Sequence, residues 1–407
     1  MKLLIISPVP TDPQTAGNRA RVSNLITVLE QLGHDVTFAY VPYEPADYEA
    51  MERRFGRRLH ILRSEGPPVH SRAGRAKRKI LCALGLRSAH VWCVDDWFDN
   101  GLLSQVTQLQ NAGGFDAVFI EYVFLSKLAT IFPDSVRTII DTHDLMGDRH
   151  KLYLDSGMQP AWFATNPEEE IRALNRADAV IAIQHEEAAY LRQRLSGEVF
   201  CVGHIGKTDS EPLPDPGGRR LLFVGSENPI NIRGLEWFLQ SAFPEIQARV
   251  PDCELAIAGP ASEGRAWPDS VLALGPMKSL ASAYASAAVV INPVTFGTGL
   301  PVKTVEALSH GKPLVATAAG VRGLGSQFTS ACVVAQNASE FAQRVIELLQ
   351  SKAARARLSE NALAAVRAWR LQQLAALDAA VKGDRRSKPM RRCGSRIWLN
   401  LLGSGKG

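Results

Sequence analysis

Short apolar, β-prone runs alternate with helically spaced stretches along this chain, and no other feature narrows the fold as far. Leu3-Leu4-Ile5-Ile6 opens the series, and Pro8 closes that first run. Asp35 to Tyr40, Ala117 to Ile120, Thr138 to Asp141, Ala179 to Ile183 and Val199 to Val202 continue it, with helices between, such as Pro167 to Ala177. A second series has strands at Leu221 to Val224, Glu254 to Ala258, Val271 to Leu274, Val289 to Asn292 and Pro313 to Thr317. Its helices read as Gly234 to Arg249, Leu280 to Ala287, Lys303 to Ser309, Ala338 to Gln350 and a last one from Ser351 towards Lys382. Alternation of this kind builds parallel sheets from βαβ units, so the class is α/β.

Between the two series, residues 206–218 carry Pro212, Pro214 and Pro216 and no apolar periodicity, which marks a linker. A chain of 407 residues with 46% hydrophobic content exceeds what one core holds. The expected division is an N-terminal domain 1–205, a linker 206–218, a C-terminal domain 219–380 and a basic tail 381–407. Ligands collect at the carboxyl ends of parallel strands, so two stacked halves imply a cleft between them.

The opening run lacks a basic leader and a small-residue cleavage site, so it reads as a strand and not a signal peptide. No window approaches the roughly 18 apolar residues that cross a bilayer. Six cysteines are scattered without CxxC or zinc-ligand spacing, as in a reducing cytoplasm. The formal charge of +5 is concentrated in two stretches, Arg53 to Arg87 and Arg385 to Arg396, followed by apolar residues such as Ile80-Leu81 and Ile397-Trp398. That combination suits peripheral contact with an anionic membrane through residues 53–88 and 385–402; a solvated basic face accounts for it equally. Neither stretch interleaves aromatics or forms a recognisable module, so no nucleic acid partner is expected.

The most informative segment is Phe296-Gly297-Thr298-Gly299-Leu300-Pro301-Val302-Lys303-Thr304-Val305-Glu306-Ala307. Glycines let backbone amides approach a ligand, and the helix that follows offers its positive end to phosphate. Lys303 adds a full charge in the first turn, and Glu306, one turn on, can accept from vicinal hydroxyls such as those of ribose. A tight βα turn with an ordinary surface lysine and glutamate would read the same way. Ile140-Asp141-Thr142-His143-Asp144 is a strand end that presents His143 and Asp144 to the cleft. No third metal ligand is evident beside them, and Asp95-Asp96 lacks D-x-D spacing, so no metal is expected.

At these residues the chain resembles the retaining glycosyltransferases of GT-B fold, specifically the large bacterial group called family 4. The likeness rests on the G-x-G-x-x-x-K-x-x-E-A block running into Gly311-Lys312-Pro313, on Phe223-Val224-Gly225-Ser226 with Asn231 and Gly234, on Ile257-Ala258-Gly259 and on Ile291-Asn292-Pro293. In the first half, Ser7-Pro8 to Gly17 with Arg19 and Arg21 carries it. The resemblance implies two Rossmann-like domains facing across a cleft. It implies a nucleoside-diphosphate sugar donor, a glycan or lipid-linked acceptor, no separate cofactor, and a role in surface polysaccharide or glycoconjugate synthesis. Glu306 would hold the ribose hydroxyls, while Lys303 and the amides near Thr298 and Gly299 would hold the diphosphate. Gly17 would let the first loop close over the donor, and His143 with Asp144 would meet the sugar or the acceptor.

Three places depart from the pattern. Thr298 stands where the family's commonest form has the first of two glutamates. Ser226 stands where an arginine is widespread, and Arg233-Gly234 replaces the following lysine-glycine pair at a longer spacing. A sugar-nucleotide epimerase of the same fold, or a catalytically silent nucleotide-binding homologue, are the competing readings.

Overall fold

The computed structural model describes residues 1–64, 72–84, 86–160, 162–209 and 211–383. The basic stretch from Arg385 onwards and residues 65–71 therefore lie outside the described residues. The first half contains strands β1 (Lys2–Ser7), β2 (Asp35–Tyr40), β3 (Leu59–Ile61), β4 (Ala117–Glu121), β5 (Arg137–Asp141), β6 (Ala179–Ala182) and β7 (Glu198–Cys201). Its helices are α1 (Gly17–Gln31), α2 (Tyr48–Phe55), α3 (Arg72–Ala83), α4 (Gly101–Gly113), α5 (Arg149–Asp155), α6 (Pro167–Leu174) and α7 (His185–Arg192). The second half contains β8 (Arg220–Val224), β9 (Glu254–Ala258), β10 (Val271–Gly275), β11 (Val289–Asn292), β12 (Leu314–Thr317) and β13 (Val333–Ala335). Its helices are α8 (Pro229–Ser241), α9 (Phe243–Arg249), α10 (Ala281–Ser286), α11 (Val302–Ser309), α12 (Ala338–Gln350) and α13 (Lys352–Lys382).

Both sheets are parallel, ordered β3-β2-β1-β4-β5-β6-β7 and β10-β9-β8-β11-β12-β13. Each sheet reverses its direction of growth beside its first strand, and such switch points are where open α/β sheets bind ligands. Helices cover both faces, which is why the strand runs are continuously apolar; Leu3, Leu4, Ile5 and Ile6 are all fully buried. Burial of that kind contributes about 1.5–3 kcal/mol for each large aliphatic side chain.

The C-terminal boundary differs from the expected one. Helix α13 begins in the second half, where Leu358 and Trp369 join its cores, and then crosses over. Leu377, Ala380 and Val381 pack with Leu3 and Ile5 of the first half. Arg137 fastens this end by donating from Nε to the Ala380 carbonyl at 2.7 Å and from Nη2 to Glu198 at 2.6 Å. One helix therefore ties the two sheets together. The stretch read as a single helix from Gly234 to Arg249 is two, because Pro244 in the first turn of α9 cannot continue the α8 hydrogen-bond ladder. Strands β3 and β13, of three residues each, are too short to show periodicity in the sequence.

Candidate active site

A cleft of about 810 Å³ opens between the two sheets at their switch points. From the first half it is lined by Gly17, His143 and Asp144, and from the second by Ser226, Asn231, Thr298, Gly299, Lys303 and Glu306. Gly17 opens α1 directly against the start of α11: a Cβ there would lie 3.2 Å from Val302 Cβ.

The second-half wall is built around α11. Gly299, at φ +67°, bends the preceding loop in the left-handed region that glycine tolerates. Lys303 then stands in the first turn and donates from Nζ to Oδ1 of Asn231 on α8. Asn231 Nδ2 in turn donates to the Ser226 carbonyl at 2.8 Å, so the loop after β8, α8 and Lys303 form one unit. Lys303 Nζ also lies 4.4 Å from the centre of the Phe223 ring. Burial pushes the lysine down to about 7, against the pull of Glu306, and pushes Glu306 up to about 7, against the pull of Lys303. The pair thus changes charge near neutrality, where an arriving diphosphate would hold Lys303 protonated.

The first-half wall begins where β4 and β5 end. Asp141, the last residue of β5, accepts from Arg21 Nε and Nη2 at 3.0 Å each, a bidentate buried pair. Beyond it the chain turns through His143 at φ +58°, an uncommon conformation for a side-chain-bearing residue and one that clusters at functional sites. The imidazole Nε2 bonds Oε2 of Glu121, and the ring stacks on Tyr122 with centroids 4.1 Å apart at 8°. The sequence analysis missed Glu121. Its signal was present, a carboxylate closing the otherwise apolar run of β4, which has no reason to be there in a packed core.

Glu121 also supplies the third ligand that the sequence appeared to lack, since ligand atoms of Glu121, Asp141 and His143 lie within 4.8 Å of one another. Asp141 commits both oxygens to Arg21, and Glu121 one to His143.

Arg233 is not part of this arrangement. Asn231 faces the cleft, and two residues further along a helix is a rotation of roughly 200°. Arg233 is exposed and does not line the cleft; at its edge, Nη1 donates to the Ser156 carbonyl of the first half and the guanidinium lies 5.8 Å from the ring centre of Phe296, just before the Gly297-Thr298-Gly299 loop.

Asp144 lies across the cleft beside Gly299, whose Cβ, if it had one, would stand 3.4 Å from Oδ1, and it pairs with Arg149 Nε at 3.4 Å. Behind it are two further carboxyls, distant from it in the sequence. Glu170 accepts from the Met146 and Gly147 amides at 2.7 and 2.8 Å, and Glu187 accepts from Gln184 Nε2 at 2.7 Å. Burial, reinforced by Asp144, pushes Glu187 up to about 8 and Glu170 up to about 7. An unfolded glutamate ionises near 4.5, so the folded state holds these protons longer. Their stabilising contribution is complete below that value and is lost as pH rises towards 8. Stability should therefore fall from about pH 4.5 to 8, and Glu187→Gln should flatten the fall by up to about 1.4 kcal/mol per pH unit. Denaturant unfolding at several pH values measures this; an unchanged slope in the variant would rule out a protonated Glu187.

The description "Glycosyl transferase 4-like domain" matches residues 16–199, and "Glycosyl transferases group 1" matches residues 218–351. A curated relative, an uncharacterized 44.6 kDa protein in the cps region of Klebsiella pneumoniae, is 29% identical over 139 residues, which is 31% of this chain and 36% of that protein. Among solved structures, sucrose-phosphate synthase from Thermosynechococcus elongatus superposes with a TM-score of 0.63 at 17% identity, covering 92% of this chain and 96% of the other. The pneumococcal O-GlcNAc transferase GtfA, in complex with UDP and GlcNAc, gives 0.63 at 10% identity over 94% and 98%. Anabaena HepE, in complex with UDP and glucose, gives 0.58 at 14% over 93% and 100%. Two family matches that together take in both halves, on two parallel α/β sheets facing across one cleft, place this chain among the group 1 glycosyltransferases of GT-B fold.

Proposed function

We propose that the chain transfers a sugar, with retention at the anomeric carbon, from a nucleoside-diphosphate sugar to a hydroxyl of a glycan or lipid-linked acceptor. The observation that carries this reading is the placing of Lys303 at the start of α11 and Glu306 one turn on, facing His143 across the cleft. Negative charge grows on the leaving diphosphate as the glycosidic bond breaks. Lys303 and the α11 amides meet that charge more strongly in the transition state than before it, which is what accelerates a reaction. Lysine and helix end supply the charge that a metal ion would otherwise supply, so the reaction is proposed to need none. No carboxylate need attack the sugar; the departing phosphate oxygen can take the acceptor proton on the same face. Closure of Gly17 against Val302 would keep water from the donor.

Asp144 favours this reading over a silent homologue. It holds a carboxylate against Thr298 and Gly299, the stretch in which the sequence lacks the family's first glutamate. UDP is the first nucleotide to test, because the similar structures of GtfA and HepE carry it. Two observations support an acceptor presented in surface glycan synthesis at a membrane. One is the relative from a cps region. The other is the apolar and basic end of α3, where Lys79, Ile80, Leu84 and Leu86 are exposed. No helix among the described residues is long and apolar enough to cross a membrane. The proposed place is accordingly the cytoplasm, at the inner face of its membrane.

Calorimetric titration with UDP, GDP, ADP and CMP tests the site. One nucleoside diphosphate should bind, and Glu306→Ala should weaken it about 10- to 100-fold, the worth of a hydrogen-bonded pair to a charged group. Unchanged affinity in that variant would sink the assignment. Nucleotide release that requires an acceptor then separates transfer from epimerisation.

A further inference from the structure

The segment Gly203–Gly206 carries the chain out of the first sheet towards the second half, and three side chains of α13 hold its backbone. Gln373 Oε1 accepts from the Gly203 amide at 2.7 Å, Trp369 Nε1 donates to the His204 carbonyl at 2.9 Å, and Arg370 Nη1 donates to the Gly206 carbonyl at 2.9 Å. A Cβ on Gly203 would lie 2.2 Å from Trp369 Cζ2, so the indole packs directly on the main chain. The side chain at position 204 thus starts from a fixed point.

That side chain is a fully buried histidine. Its Nε2 lies 3.8 Å from Glu306 Oε1 on α11 and 3.4 Å from the Asn24 side-chain amide on α1, which donates from Nδ2 to a bare Nε2 and, turned half round, accepts through Oδ1 from an Nε2–H. Its Nδ1 has no hydrogen-bond partner among the described residues. Burial first, and then the Arg21 charge, push it down to about 3, so the ring is neutral wherever the protein works. A neutral imidazole carries a single N–H and cannot balance Glu306 as a charge; what it can do is donate one directed hydrogen bond. At 3.8 Å that bond is not made; it requires Nε2 to carry the ring proton in place of accepting from Asn24 Nδ2, and an approach of under an ångström by α11. Buried polar groups are nearly always partnered, and this ring faces the cleft carboxylate from a segment that joins the two halves.

We propose that His204 is the positioning residue for Glu306: its Nε2–H donates to one carboxylate oxygen as ribose hydroxyls engage the other, linking donor occupancy to the crossing segment. This inference rests on the reading of Glu306 as the ribose-binding carboxylate. Without the imidazole the carboxylate would turn freely, and the ribose-dependent part of the affinity would fall while the diphosphate part remained.

The test compares binding of the preferred nucleoside diphosphate with that of its 2′,3′-dideoxy form. Wild type should prefer the ribose form by about 10- to 100-fold. Glu306→Ala should abolish the preference, His204→Leu should reduce it about tenfold, and His204→Gln, which keeps an N–H at a similar reach, should retain most of it. No preference in wild type, or one that survives in Glu306→Ala, overturns the ribose reading and this inference with it. A preference lost in Glu306→Ala but intact in His204→Leu overturns the inference alone. Should His204→Leu not fold, the ¹⁵N resonance of His204 Nε2 in wild type decides. A shift with the ribose ligand and not the dideoxy one supports the bond; equal response to both overturns it.

Discussion

Lys303→Met should lower the acceptor-dependent rate about 10²- to 10³-fold, the range seen when one preorganised donor to developing negative charge is removed. Methionine fills much of the same space, so the loss would report charge and not packing. The seat is a narrow one, between Asn231 Oδ1 and the face of Phe223 with Nζ 4.4 Å from the ring centre. Lys303→Arg, planar and wider, should recover only part of the rate. The titration of the pair gives a second check. Lys303 loses its proton and Glu306 its own near 7, so the pair becomes more negative as pH rises through that value. Nucleoside diphosphate affinity should therefore fall as pH rises above about 7, and the fall should be shallower in Lys303→Met, where only Glu306 still titrates. Steady-state assays and calorimetry from pH 6 to 9 measure both effects. A rate loss below fivefold would mean that the leaving group is stabilised elsewhere.

The parts of this protein that are legible in its sequence are those fixed by local physics. Buried parallel strands must be apolar on both faces, so β1, β4, β5, β8 and β11 stand out as runs, and the linker prolines separate the halves. Lys303 and Glu306 are legible because a helical turn alone puts them on one face. What the sequence hides is pairing across distance. Glu121 and His143 lie 22 positions apart and meet only because β4 and β5 run side by side in register. Asp144 meets Thr298 across the cleft, and Glu187 approaches from α7. Arg233 shows the same limit: charge and sequence position suggested it, while the start of α8 at Pro229, capped by Asn228, sets it at the cleft edge against Ser156 and Phe296. Helix α13 shows the same limit, since its periodicity reveals a helix and says nothing of which sheet its last turns cover.

His143 and Glu121 give the other large effect. His143→Ala should leave nucleoside diphosphate affinity within about threefold, because the diphosphate and ribose contacts assigned here lie on the opposite wall. Turnover should fall about 10²-fold, as for loss of a positioned acid–base or polar group at the reacting centre. The partner should behave as one unit with it. Glu121 is fully buried, desolvation and the neighbouring Asp141 raise its pKa, and its Oε1 has no hydrogen-bond partner among the described residues. Its one strong contact is the imidazole. Glu121→Gln replaces an acceptor by a group that can also donate, so His143 could turn to the other tautomer, and turnover should fall by about tenfold or more with little change in fold. If Glu121 acts only through His143, the double variant should be no slower than His143→Ala alone, a non-additive cycle. Additive losses would instead mean that Glu121 works on the substrate or on the Arg21–Asp141 pair independently. The stability cost discriminates further: His143→Ala strands a buried carboxyl and should cost about 1–3 kcal/mol, which the added Glu121→Gln should partly restore by removing the group whose charge is buried.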